Sequence, residues 1–146
     1  MAGKTLIQTT TNGTAGINAA RGADPIYAGA LVTAEATVRA ILRNTPAVIT
    51  LVAMGRSNGT IRADEDELRA LYLRACLEGR RPDVAAIQAV LATMRRHPKP
   101  VTAGAYDLKD RKNAAEVDAI AFAISVRLEG GLLIAEAERN DLQPAS

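Results

Sequence analysis

At 146 residues, 48% hydrophobic and 23% charged, the chain has the length of one domain and enough apolar mass for a single buried core. A formal net charge of +2 excludes the strongly basic surface of a nucleic-acid binder and gives no pull toward an anionic membrane. The single Cys76 excludes an internal disulfide, and with three Tyr, one Phe and no Trp the core has to be built from Ala, Leu, Ile and Val.

Thr5-Leu6-Ile7-Gln8 reads as a first short strand. Thr9-Thr10-Thr11-Asn12-Gly13-Thr14 follows, and then a helix-compatible stretch over residues 15–21. Asn12 and Gly13 tolerate the backbone angles of a tight turn, and Thr14 is placed to cap the helix behind it. Backbone N–H groups at a helix start, beside several hydroxyls and an amide, favour an anion such as phosphate or sulfonate. The plainer alternative is an ordinary strand–turn–helix joint with a Thr cap.

Gly22 stops the first helix, and residues 25–30 read as a second short strand. Thr33 can cap a helix reaching about Asn44, with Ala34, Val38, Ile41 and Leu42 recurring at helical spacing. Pro46 breaks the chain. Residues 47–54 are β-branched and almost continuously apolar, which predicts a strand buried on both faces, as in a parallel sheet.

A polar loop over residues 55–61 leads to Asp64-Glu65-Asp66-Glu67, the opening of a long helix with Leu68, Leu71, Tyr72, Ala75 and Cys76 as its inward stripe. Gly79 ends that helix. Pro82 suits the first turn of the next, which turns Val84, Ile87, Leu91 and Met94 inward and ends near Pro98. The lone His97 stands at that helix end, and Arg95, Arg96, Lys99, Lys109, Arg111 and Lys112 make a locally basic stretch with one aromatic, Tyr106. A stretch with one ring is a solvated face rather than a platform for stacked bases.

Residues 101–112 read as a loop and residues 113–117 as one helical turn. The Ala-rich stretch beyond looks helical, but its period is two. Ile120, Phe122, Ile124, Val126 and Leu128 alternate with Ala119, Ala121, Ala123, Ser125 and Arg127, which is a strand with one large-residue face. Glu129-Gly130-Gly131 turns the chain, and residues 132–138 return as its partner in a C-terminal β-hairpin. A frayed tail is expected over residues 139–146. There are no internal repeats, and the whole reads as a single α/β domain over residues 1–146.

Two features could carry chemistry: the Thr-Asn-Gly-Thr turn and the acidic helix start. With Leu68 at the centre of the inward stripe and about 100° per residue, Asp64 and Glu65 fall near the inward side and Asp66 points away. Carboxylates at a loop end beside a sheet suit a hard cation such as Mg²⁺; the alternative is that acidic residues simply favour a helix N-terminus. Both features follow apolar strands, at the carboxyl edge where open α/β sheets bind ligands. An anion pocket beside a cation site suits a phosphate ester. No Walker loop, GxGxxG or Ser–His–Asp set is present.

These segments resemble the carboxyl-terminal portion of the 2-phosphosulfolactate phosphatase (ComB) family. The likeness is carried by Thr9-Thr10-Thr11-Asn12-Gly13-Thr14, by residues 28–36, by residues 49–55, by the acidic helix of residues 64–73, and by Phe122-Ala123-Ile124 with Glu129-Gly130-Gly131-Leu132. It implies a three-layer α/β/α fold with a mixed sheet, and a Mg²⁺-dependent hydrolysis of 2-phospho-3-sulfolactate to sulfolactate and phosphate, a step of coenzyme M synthesis. Carried over residue by residue, Thr11, Asn12, Gly13 and Thr14 line the substrate's anion pocket, and Glu65 and Asp66 are the metal-binding acidic pair. Only Glu65 is reached by both routes. Thr33 stands where the family commonly has Asn, and Arg69 where Cys is common. Family members also carry an amino-terminal loop, Asp-Val-x-Arg-Ala-Thr/Ser, that this chain lacks, so an incomplete enzyme or a non-catalytic anion-binding or scaffold module is the alternative expectation. A cytoplasmic homo-oligomer acting on a small anionic phosphate ester, with no nucleic-acid or membrane partner, completes the expectation.

Overall fold

The computed structural model describes residues 5–10, 12–56, 61–94 and 113–139. In chain order the elements are α1 (Gly13–Ala19), β1 (Ile26–Tyr27), a 3₁₀ turn (Leu31–Thr33), α2 (Ala34–Arg43), α3 (Asp64–Leu77), α4 (Val84–Thr93), β2 (Phe122–Glu129) and β3 (Leu132–Arg139). Helices thus combine with one three-stranded sheet of order β1-β2-β3, a mixed α/β architecture. Every strand pairing in that sheet is antiparallel.

The sheet is built late in the chain. β2 and β3 pair along their whole length, from Phe122 opposite Arg139 to Glu129 opposite Leu132. Gly130 and Gly131, at φ 58° and 81°, supply the left-handed backbone that joins them. β1 adds two residues, Ile26 opposite Val126 and Tyr27 opposite Ser125. The period-two reading of β2 explains its packing. Tyr27, Ala123, Ser125 and Glu138 share one face by register. The end of α2 reaches that face: Arg43 donates to Glu138 at 2.5 Å, and the Asn44 amide donates to the Tyr27 hydroxyl at 3.2 Å. The contact is made of small residues, since the buried members of α2 are Ala34, Ala36, Thr37, Val38 and Ala40, and Ala123 opposite is fully buried.

The main core lies among the helices. Leu31, Ala34, Val38, Tyr72, Leu73 and Leu91 are buried together, with Leu51, Leu68, Cys76, Leu77, Ile87, Met94 and Val117 packed around them. Burying each of Leu31, Val38, Leu73 and Leu91 contributes roughly 1.5–3 kcal/mol. Tyr72 lies inside this cluster, and burial pushes its phenol up to about 12. Burial likewise raises the Cys76 thiol, which behaves as a core group.

A strap from the far end of the chain closes this layer. Asp118 N–H donates to the Leu31 carbonyl at 3.0 Å and Ile120 N–H to Val32 at 2.9 Å. The Gln88 amide on α4 donates to the Ala115 carbonyl at 3.0 Å. Asp118, at φ 55°, turns its carboxylate onto the start of α2, where Oδ1 accepts the Glu35 N–H at 2.6 Å. Thr33 was expected to cap α2; it occupies the cap position, yet its hydroxyl donates to the Ala30 carbonyl and no side chain of its own caps the helix. Asp118, 83 positions beyond the Glu35 whose N–H it accepts, does so instead.

Several sequence expectations are corrected. Residues 5–8 and 47–54 form no strand: Leu6, Ile7, Val48 and Val52 are 67%, 95%, 80% and 63% exposed. β-Branched, apolar composition gives these stretches an extended tendency, but a strand exists only beside another strand, and none lies beside them among the described residues. Leu51 alone of the second stretch packs on the core. The expected strand over residues 25–30 shrinks to Ile26–Tyr27. On α3, Leu71 is 60% exposed and Leu73 is buried. The packed side is centred near Cys76, so Leu73, about 60° from it, is buried, while Leu71, about 140° away, falls outside it. Asp83, rather than Pro82, opens α4, and its carboxylate accepts the N–H groups of Ala85 and Ala86 at 2.8 and 3.3 Å. The loop of residues 101–112, the basic stretch and His97 lie outside the described residues, as does the tail from residue 140.

Candidate functional site

The first candidate is the turn into α1. Thr11 lies outside the described residues. Asn12 stands at the cap position of α1, where its carbonyl accepts the Gly16 N–H at 3.0 Å. Thr14 does not cap the helix as expected, because it lies within the first turn. Thr10 does the capping: its Oγ1 accepts the Thr14 N–H at 3.1 Å. The return contacts run the other way, with Thr10 N–H donating to Thr14 Oγ1 at 3.1 Å and the Thr14 hydroxyl donating to the Thr10 carbonyl at 2.6 Å. At Gly13 a Cβ would lie 3.2 Å from Thr10 Oγ1, so a side chain there would press on this closure unless Thr10 shifted by a few tenths of an ångström. Asn12, Gly13 and Thr14 therefore stand together at the surface, with the Thr14 donors engaged by Thr10.

The second candidate is the start of α3. Asp64 is exposed, whereas Glu65 and Asp66 are half-buried. The geometric argument for Asp64 thus gives way to Asp66, because the packed side of the helix is turned toward Cys76 rather than centred on Leu68. Asp66 uses both oxygens: Oδ2 accepts the Gly55 N–H at 3.1 Å, and Oδ1 accepts from Arg69 Nη1 at 3.0 Å. Glu65 Oε1 accepts from Arg56 Nη2 at 3.2 Å. Glu67 pairs outward with Arg62. The Glu65 carboxyl is held below the usual carboxylate range, first by a backbone N–H at the helix start, then by Arg56 and Arg69, against an opposing effect of burial.

These contacts stand at the two described ends, Arg56 and Ile61, of a segment whose residues 57–60 lie outside the described residues. Arg56 and Ile61 bond to one another through both backbone groups, at 2.8 and 3.1 Å. Gly55, at φ 62°, begins the loop where any Cβ would run into the Ile61 carbonyl. The two candidates also meet. Gly16 on α1 abuts the Met54 side chain so closely that a Cβ there would collide with the thioether. Met54 is followed directly by Gly55, the residue that Asp66 holds.

Among the described residues no group of three or more His, Cys, Asp and Glu side chains is arranged to hold a metal ion. The donor set is two adjacent carboxylates. Mg²⁺ is commonly held by one or two carboxylates, with water and substrate phosphate completing its shell, so the chemistry of the pair fits that ion. Arginine guanidiniums already stand against both carboxylates as their cationic partners. Sequence reasoning passed over Arg56 and Arg69 as partners. The Asp66–Arg69 spacing of three on one helix was the available signal; the Arg56 contact depends on the loop's fold.

No helix among the described residues is long and apolar enough to cross a membrane. A family model described as 2-phosphosulpholactate phosphatase matches residues 1–120. No curated protein and no solved structure matches the chain.

Proposed function

The chain belongs to the 2-phosphosulpholactate phosphatase family, and from that membership we propose that it acts on a small anionic phosphate ester, 2-phospho-3-sulfolactate being the first candidate. The observation that carries this reading is the family match across residues 1–120, which spans both the Thr-Asn-Gly-Thr turn and the acidic start of α3. Glu65 and Asp66 would hold Mg²⁺. The ion's contribution, when bound, is to neutralise charge on the phosphoryl oxygens. Thr11, Asn12, Gly13 and Thr14 would receive the substrate's anionic end through hydroxyl, amide and backbone N–H donors. For Thr14 this requires the substrate to replace Thr10 as acceptor. Water attacks phosphorus, the P–O ester bond breaks, and the leaving alkoxide takes a proton to give sulfolactate and phosphate.

We further propose that the working form is a cytoplasmic homo-oligomer with the full three-layer α/β/α arrangement. The extended, exposed segments of residues 5–10 and 47–54 support this, since both have strand-like sequence and neither has a strand neighbour among the described residues. The second reading, a non-catalytic anion-binding or scaffold module, is favoured by one observation: Glu65, Asp66 and Thr14 all have their polar groups engaged within the chain.

The deciding experiment is release of phosphate from 2-phospho-3-sulfolactate with Mg²⁺ and with chelator, beside a Glu65→Gln variant. Mg²⁺-dependent turnover that the variant loses is the expected result. Folded protein with no turnover leaves the module reading.

A further inference from the structure

We propose that the free edge of β3 is a self-pairing surface, on which β3 of a second copy of this chain adds antiparallel about a two-fold axis at Ala135. This rests on the homo-oligomer reading above and names one interface for it. The edge follows from the ladder. Ala28 N–H donates to the Ile124 carbonyl at 2.9 Å, so the backbone polar groups of Ile124 face β1. Successive residues of a strand turn these groups to opposite sides, so those of Ala123, Ser125, Arg127 and Glu129 face β3. Their partners there are Glu138, Glu136, Ile134 and Leu132. Leu133, Ala135 and Ala137 therefore aim their N–H and C=O groups away from the sheet, and no strand lies beyond β3 among the described residues.

An edge of this kind is normally blunted by a short strand, a bulge, Pro or Lys. β3 runs Leu132–Arg139 in unbroken register with β2 and contains neither Pro nor Lys. Ala135, Glu136 and Ala137 are exposed, and the two alanines offer only methyl groups as obstacles. The carboxylates are already neutralised within the chain, Glu136 accepting from Arg127 at 3.0 Å and Glu138 from Arg43.

The strand's own sequence selects a second copy as the occupant, and one register. With Ala135 opposite its counterpart, Leu133 meets Ala137, Ile134 meets Glu136 and Leu132 meets Glu138, so no like charges face each other. Outward groups then meet outward groups at Leu133, Ala135 and Ala137, giving three bonded pairs and about six N–H···O bonds. Centring the axis on Glu136 instead sets that carboxylate against its counterpart in a close, non-bonded pair, which is unfavourable. Centring it on Ile134 shortens the overlap to residues 132–136. Two-fold pairing consumes both β3 edges, so this contact closes at a dimer rather than running on as a fibre.

The test is sedimentation velocity of the intact chain over a dilution series, with amide hydrogen exchange followed by NMR at the highest and lowest concentrations. Wild type should pass from monomer to dimer as concentration rises. The Leu133, Ala135 and Ala137 amides should exchange freely in the monomer and about tenfold or more slowly in the dimer, whereas those of Ile134, Glu136 and Glu138 are bonded to β2 and should be protected in both. Ala135→Lys sets two cations against each other across the axis and should weaken the dimer about tenfold or more without touching a bond inside the sheet. Ala135→Pro removes the central outward donor, which makes no bond in the monomer, and should weaken the dimer as well. Wild type that associates while the three outward amides stay unprotected overturns the β3 edge and leaves the oligomer reading standing. An Ala135→Lys protein that associates as strongly as wild type does the same. Protection of the three amides already in the monomer also overturns it, since the edge is then covered within the chain. Wild type that stays monomeric throughout removes both.

Discussion

Gly55 shows how much can hang on one missing side chain. Its φ of 62° lies in the left-handed region, and a Cβ there would strike the Ile61 carbonyl that closes the loop. Asp66 holds its N–H, so the residue cannot simply relax away. Gly55→Ala should therefore cost about 2 kcal/mol or more, from left-handed strain together with the collision. In a chain of this length that is a fall of roughly 4–8 °C in the thermal midpoint, measurable by circular dichroism. Gly22→Ala is the control, since nothing lies within 4 Å of a Cβ there and its backbone is not left-handed. The glycine was visible in the sequence as part of a polar loop. Its particular duty was not, because the carbonyl it avoids belongs to a residue six positions on.

At the scale of elements, the strap of residues 115–120 decides where α2 begins. A helix leaves its first N–H groups without partners, and Ser, Thr, Asp or Asn at the cap position normally supplies one. Thr33 is at that position in α2 but bonds elsewhere, and Asp118 reaches across to take the Glu35 N–H. Asp118→Ala should destabilise the protein by about 1 kcal/mol, whereas Asp118→Asn, which keeps an acceptor oxygen, should recover most of the loss; urea unfolding of the three proteins measures both. Thr33→Ala loses no cap bond, but it removes a buried side chain whose hydroxyl donates to the Ala30 carbonyl and accepts from the Thr37 hydroxyl, so it should cost about 1–3 kcal/mol, no less than the cap deletion.

The same comparison shows which elements were legible. α2, α3, α4, β2 and β3 follow from periodicity, acidic first turns and glycine turns, all of them local signals. The period-two pattern of residues 119–128 separated β2 from the helix that its alanines imitate. Residues 5–8 and 47–54 carry the local signal of a strand as clearly, yet form none, since the missing ingredient is a neighbour and not a propensity. At the candidate site, the acidic pair Glu65 and Asp66 was readable. The loop contact of Arg56 was not, because loop geometry brings it there.

For the whole molecule, the exposed apolar side chains of Leu6, Ile7, Val48 and Val52 bear on assembly. Extended backbone bearing exposed apolar side chains tends to pair with its like. Light scattering across a range of protein concentrations should show association that strengthens with concentration; a sharp monomer throughout would count against the proposed oligomer.

The register of the sheet has a consequence for how the protein is made. Ile26 finds Val126, and Glu35 finds Asp118, only once residues 118–126 have been synthesised. At a synthesis rate of about 5–20 residues per second, the early helices wait on the order of 5–20 seconds for the strand and strap that cover them. Throughout that interval the small-residue face of α2 has nothing to rest on. The nascent chain is therefore expected to be a client of holding chaperones, and to acquire protease resistance in one late step rather than in stages.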